Sequence, residues 1–276
     1  MKSNQNVGLS LLLITDTHFD TNALNSFKRW YESEERKYDY VIHTGDFSNI
    51  LSKEANDPRM QGIGEYNMQQ TINFLFEVTQ VPMLYIPGNH DPVSSFTRSI
   101  SYKNSINLHK NSFQIRDNLV VFGVGGSHYA TQKVGDKDEH IWDYFPYQDD
   151  ETFYKDCSDT YKSAKQQFGD CDYIFLTHMG PDNSSTTVLP VENQNPIHCG
   201  SILLENILND NSQNIIALIH GHSHESEGLN KFQLTDQQCI HAGGLLIGHC
   251  ADIHLINRID KPNRWKINST KYYNFD

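Results

Sequence analysis

Short apolar runs punctuate the chain, and each stops abruptly at a polar cluster. Residues 9–14 end at T-D-T-H, 40–43 at T-G-D, 83–86 at P-G-N-H-D, 173–176 at T-H and 215–219 at H-G-H-S-H. The runs are dense in Ile, Leu, Val and Tyr and too short for helices, so they read as strands buried on both faces. A sixth run, 120–122, is expected to form a hairpin with 113–115 across Asp117-Asn118.

Helical spacing lies between the runs. Residues 22–37 carry Leu24, Phe27 and Trp30 on one side, behind a Thr or Asn cap. Residues 65–80 repeat apolar positions at Met68, Ile72, Leu75 and Phe76, and 201–208 is a shorter candidate. Alternation of strand and helix implies an α/β fold, whose ligands sit beyond the carboxyl ends of the strands. That is where the polar clusters fall. The stretch 136–151 mixes acids with aromatics around Pro146. It reads either as a surface excursion or as a loop that shapes a pocket.

Composition narrows the class. The 276 residues suffice for one large domain or two, and the 14 Tyr and 14 Phe promise a packed core rather than a disordered chain. A net charge of −12 argues against general nucleic-acid or anionic-membrane binding. It leaves phosphate chemistry open where bound cations supply positive charge. The five cysteines are scattered, with no C-x-x-C pair, so a reducing, cytoplasmic setting is expected. The 9–14 run is too short for a signal core, and no stretch reaches transmembrane length. There is no Walker loop and no G-x-S-x-G elbow.

The strand-end residues form a constellation. Asp16 and His18 make D-x-H, and Asp46 follows Gly45. Asn89, His90 and Asp91 make G-N-H-D, His178 closes its run, and His222 and His224 make G-H-x-H. Each motif alone is weak, since a lone strand-end histidine is usually solvated. Five such ends in one order, all offering oxygen or imidazole, point to metal.

In this order D-T-H, G-D, G-N-H-D, H and G-H-S-H resemble the calcineurin-like metallophosphoesterases, over about residues 9–256. The resemblance implies a four-layer α-β-β-α sandwich with two central mixed sheets and a metal site at the strand C-terminal ends. It implies a single domain over 1–276, with an excursion or cap within 128–160. It also implies two metal ions. Asp16, His18 and His224 would hold one, Asn89, His178 and His222 the other, and Asp46 would bridge them. One bridging carboxylate suits cations ~3.5–4 Å apart. Mixed N and O donors suit Mn, Fe or Zn better than Ca. The implied activity is hydrolysis of phosphomono- or phosphodiesters by attack of a metal-bridging hydroxide.

In such a site His90 is expected to protonate the leaving oxygen or stabilise the transition state. Asp91 is expected to hold His90 and favour its charged form, unless it is only a turn residue before Pro92. His220 is left to support a ligand. His241 could reach the site or be a plain strand histidine, His43 should face core or helix, and His128 could touch substrate. Asn49 replaces the second acid of G-D-x-x-D, and no tyrosine follows Asp46, against an iron–tyrosinate centre. G-D-F-S-N and G-N-H-D-P also lack the arginine-rich extensions of protein Ser/Thr phosphatases. The resemblance therefore leans to a small phosphodiester or nucleotide. A protein phosphatase and a non-catalytic scaffold of this fold are the alternatives.

Overall fold

A computed structural model describes residues 8–97, 102–134, 137–142, 144–182, 184–189, 191–192, 194–211, 213–231, 238–258, 260–261 and 264–275. The first sheet contains β1 (Leu9–Ile14), β2 (Tyr40–His43), β3 (Met83–Tyr85) and β4 (Ser105–Asn107), all parallel. Two antiparallel strands, β15 (His249–Asn257) and β16 (Trp265–Asn274), extend it beyond β1. The second sheet runs from β5 (Asn111–Arg116) through β6 (Leu119–Val124), β9 (Asp172–Thr177), β12 (Ile215–His220) and β14 (Gln238–His241) to β13 (Gly228–Lys231). Its central strands β6, β9, β12 and β14 are parallel, and its two edge strands are antiparallel. A small sheet joins β7 (Thr131–Val134), β8 (Lys137–His140), β10 (Val188–Leu189) and β11 (Ile197–His198).

Side-chain alternation sorts these strands into layers. Leu9, Leu11 and Leu13 of β1 face Leu119, Val121, Ile174, Leu176 and Ile219 between the sheets. Leu12 and Ile14 turn the other way, onto helices α1 (Thr21–Ser33) and α2 (Pro58–Thr79), where they meet Leu24, Phe27, Met68 and Ile72. On the far side, Val120, Phe122, Tyr173 and Phe175 meet α4 (Asp150–Phe168) and α5 (Leu204–Asp210). The result is helices, sheet, sheet, helices, as the resemblance implies, with both sheets mixed. A short helix, α3 (Ser94–Thr97), follows β3.

Helix boundaries depart from the expected ones at their caps. Helix α1 starts at Thr21 because the Asp20 carboxylate accepts the Ala23 N–H at 2.9 Å, and it stops at Ser33. Helix α2 begins well before residue 65: Asp57 caps it and Pro58 opens it, and Gln80 closes it in the left-handed conformation. The 113–115 and 120–122 runs do form the antiparallel β5–β6 hairpin. Within 128–160, β7 and β8 belong to the small sheet, whereas the part from Asp150 onward is helix α4, with Phe153, Cys157 and Tyr161 in the core. Among the described residues no helix is long and apolar enough to cross a membrane.

Candidate metal centre

The strand-end turns of both sheets meet at one seam. Asp16 and His18 follow β1, Asp46 follows β2, and Asn89 follows β3. His178 follows β9, while His222 and His224 follow β12. Backbone bonds knit the turns: Asp16 N–H donates to Gly45 O at 3.0 Å, His18 N–H to Asp46 O at 2.9 Å, and Gly221 N–H to His178 O at 2.8 Å. Asp16, His18, Asp46 and His222 all have positive φ (52°, 45°, 59° and 77°), which aims their side chains inward from sharp bends. The approach is close enough to require glycine at two places. A Cβ on Gly88 would collide with the Asp46 carboxylate, and one on Gly221 with the Thr15 hydroxyl.

Asp16, His18, Asp46 and His224 place their ligand atoms within 4.8 Å of one another. His18 Nε2 lies 3.1 Å from His224 Nε2 and 3.5 Å from Asp46 Oδ2, and His224 Nε2 lies 3.5 Å from Asp16 Oδ1. On the other side of Asp46, His178 Nε2 is 3.3 Å from the same Oδ2 and 2.9 Å from Asn89 Oδ1. The His222 ring is 5.0 Å from that of His178. One oxygen of Asp46 therefore faces a histidine from each set.

The donor chemistry fits metal. His178 Nδ1–H donates to Thr44 O at 2.7 Å, which fixes Nε2 as the inward nitrogen. That nitrogen faces two oxygens, an arrangement that needs either a proton or a cation between them. Burial would lower His178, but the Asp46 and Asp16 carboxylates outweigh it and hold the imidazole up at about 9. Burial likewise opposes ionisation of Asp16, yet His224 and His178 hold its carboxyl well below the usual range. His222 Nε2 is buried with no hydrogen-bond partner among the described residues, and burial followed by His178 keeps its ring neutral. A neutral, unpartnered imidazole nitrogen is what a cation would take.

Asp91 does not hold His90, which corrects the expectation from sequence. Its Oδ2 accepts the N–H groups of Asp46 (2.9 Å) and Gly88 (2.8 Å), and its Oδ1 accepts those of Ser48 (2.9 Å) and the Ser48 hydroxyl (3.2 Å). The buried turns leave peptide donors that a carboxyl group with several lone pairs can satisfy together. The His90 ring is held elsewhere: its Nδ1–H donates to Ile50 O at 3.0 Å, and its peptide N–H donates to Asp46 Oδ1 at 2.9 Å.

His220 supports the cluster from behind. His220 is buried, donates from Nδ1 to Gly221 O (3.0 Å) and accepts the Thr186 hydroxyl at Nε2 (2.8 Å). It thereby braces the turn that carries His222. His241 contacts the His220 ring at 4.8 Å and accepts Gly243 N–H at 2.9 Å, one layer beneath the cluster. His43 stacks on Phe47 at 3.7 Å. His128 lies 3.5 Å from Asp150 at the start of α4 and is not among the residues lining the central cavity. Asn49 is exposed.

That cavity has a volume of about 470 Å³ and is lined by Asp46, Asn89, His90, His222, His224, Ile141 and Trp142. The last two come from the 136–151 stretch and were not singled out in the sequence. The available signal was an aromatic residue inside a polar loop.

The fold and the cluster together define an α/β sandwich with a candidate metal site at its strand ends. A profile of calcineurin-like phosphoesterases matches residues 9–226, and the chain belongs to that family. Comparison with curated proteins gives no match. One crystal structure is 15% identical with a TM-score of 0.67, over 98% of this chain and 100% of that one. TT1561 of Thermus thermophilus is 17% identical with a TM-score of 0.56, over 90% of this chain and 94% of that one. These likenesses concern the fold.

Proposed function

We propose that the chain is a dinuclear metal-dependent phosphoesterase acting on a small phosphodiester or nucleotide. The observation that carries this reading is Asp46 Oδ2, placed 3.5 Å from His18 and 3.3 Å from His178. Asp16, His18 and His224 would hold one cation, and Asn89, His178 and His222 the other, with Asp46 shared. Mn, Fe or Zn suits this mixed N and O set. Such ions, when bound, neutralise phosphate charge and bring the pKa of a water near neutrality.

The protein groups do the rest. With Nδ1–H bound to Ile50 O, His90 presents Nε2 toward the cavity that it lines. Protonated there, it can donate to the oxygen that leaves phosphorus. Asp91 holds the Asp46 and Gly88 turns so that carboxylate and amide ligands stay aimed. The five cysteines are free and buried, which supports a reducing compartment, the cytoplasm.

The test is turnover of aryl phosphate and bis-aryl phosphate by metal-stripped protein, with Mn, Zn, Fe or Mg added back. Metal-dependent turnover that collapses in Asp46→Asn is expected, with the diester preferred. Two bound metals without turnover of any ester would favour a scaffold. Selective dephosphorylation of phosphopeptides would favour a protein phosphatase.

A further inference from the structure

The cavity has two unlike walls. Asp46, Asn89, His90, His222 and His224 make the polar wall, and Ile141 and Trp142 make the other. No lysine or arginine is among the described residues that line it. The Trp142 indole is half-buried and meets the His222 ring nearly perpendicularly, 5.4 Å between centroids. An edge contact of this kind covers less of a ring than stacking does.

The segment that carries Trp142 is tied on both sides. Ile141 N–H donates to Ala130 O at 3.1 Å before it, and Ser127 N–H donates to Phe145 O at 2.8 Å after it. Phe145 meets Phe96 at 5.2 Å, and the buried Tyr147 donates its hydroxyl to Asp156 at 2.9 Å. The indole is thus held at the cavity by the fold on either side of it. A preorganised aromatic surface beside a phosphate site offers affinity for a planar ring at little ordering cost.

We propose that Trp142 sets specificity by stacking a planar aromatic group of the substrate, a nucleobase or an aryl ring, while the phosphate lies against the ligand cluster. The proposal rests on the phosphoesterase reading above and narrows its substrate class. A second phosphate or an acidic peptide side chain would find no cationic side chain among the described residues of this wall. A flat, uncharged ring finds Trp142 and Ile141.

The experiment compares Trp142→Ala and Trp142→Phe with the unaltered Mn-loaded protein. Turnover of bis(p-nitrophenyl) phosphate and of glycerophosphoethanolamine is measured for each, together with quenching of indole fluorescence by adenosine 5′-monophosphate. Trp142→Ala should lower kcat/KM for the aromatic diester roughly ten- to hundredfold more than for the aliphatic one. Trp142→Phe should restore most of that difference. Quenching should be strong in the unaltered protein and lost in both variants, since Trp265 is buried and Trp30 lies against Tyr273 and Phe275. Equal losses on the two diesters, or quenching that survives in the variants, would overturn the role of Trp142. Quenching that depends on Trp142 without turnover of either diester would uphold the stacking site while overturning the phosphoesterase reading.

Discussion

Asp91 Oδ2 sits 2.9 Å from the peptide nitrogen of Asp46 and 2.8 Å from that of Gly88, so one carboxylate oxygen ties together two turns of the candidate metal centre. Its other oxygen serves Ser48. Removing the carboxylate leaves the three buried peptide N–H groups of Asp46, Gly88 and Ser48 without their acceptor, at about 1–3 kcal/mol for each unsatisfied group. Asp91→Ala should therefore lower unfolding free energy by about 3 kcal/mol or more and reduce bound metal. Asp91→Asn should be nearly as harmful, because its NH2 would face peptide donors. Denaturant melts and metal analysis check this. A variant with normal stability and metal content but an altered pH–rate profile would restore the role expected from sequence, in which Asp91 acts through His90.

How much of this was legible follows from which forces leave a sequence signal. Strands β1, β2, β3, β9 and β12 are buried on both faces, so they appear as unbroken apolar runs that stop where the site begins. Their polar ends exposed the candidate ligand residues, of which Asp16, His18, Asp46 and His224 lie together in the structure. The bonds of Asp91 were hidden, because an acceptor for peptide N–H groups has no characteristic partner in sequence. Helix α4 was missed although its signals are present: Asp149 caps it, Asp150 and Glu151 follow, and Phe153, Cys157, Tyr161 and Ala164 repeat on one face. Its polar neighbours diluted that periodicity. The start of α2 at Asp57-Pro58 was likewise readable as a cap followed by proline. Trp142 reaches the cavity through loop contacts, which no period encodes.

His90 and Gly88 should separate chemistry from assembly. His90→Asn keeps the backbone N–H that serves Asp46 and removes only the imidazole. We expect kcat to fall about 10²–10⁴-fold, with metal content and melting temperature retained. Gly88→Ala instead drives a Cβ into the Asp46 carboxylate. It should lose metal affinity by tenfold or more, as seen by competition with a chelating dye. Full activity in either variant would contradict the assignment.

Metal removal should also be visible without substrate. Four cluster residues hold positive φ, and the carboxylates Asp16 and Asp46 are buried beside one another. Cations that bind only the folded state stabilise it by about 2.7 kcal/mol at a hundred times Kd. For a chain of this size that is roughly 5–10 °C in melting temperature. A chelator should lower the midpoint by that order, and Mn should restore it. A midpoint indifferent to both would mean that the cluster binds no metal.

His109 gives a pH dependence away from the cluster. Its Nδ1 accepts Gly125 N–H at 3.0 Å, and its ring meets Phe96 at 5.0 Å. Burial, with Lys110 beside it, holds the imidazole down at about 4 against the model-peptide value of 6.5, and Asp156 opposes this. Between those limits the unfolded chain binds the proton and the folded one does not, so stability rises with pH across the window and is lost as pH falls through it. At pH 5 the loss from this residue is about 2 kcal/mol. His109→Gln keeps an acceptor near Gly125 and removes the titration. Urea melts of chelated protein at pH 7.5 and pH 5 should show a smaller drop in the variant by about that amount. Equal drops would mean that His109 accepts a proton in the folded state, and the Gly125 bond would then have to break without consequence for stability.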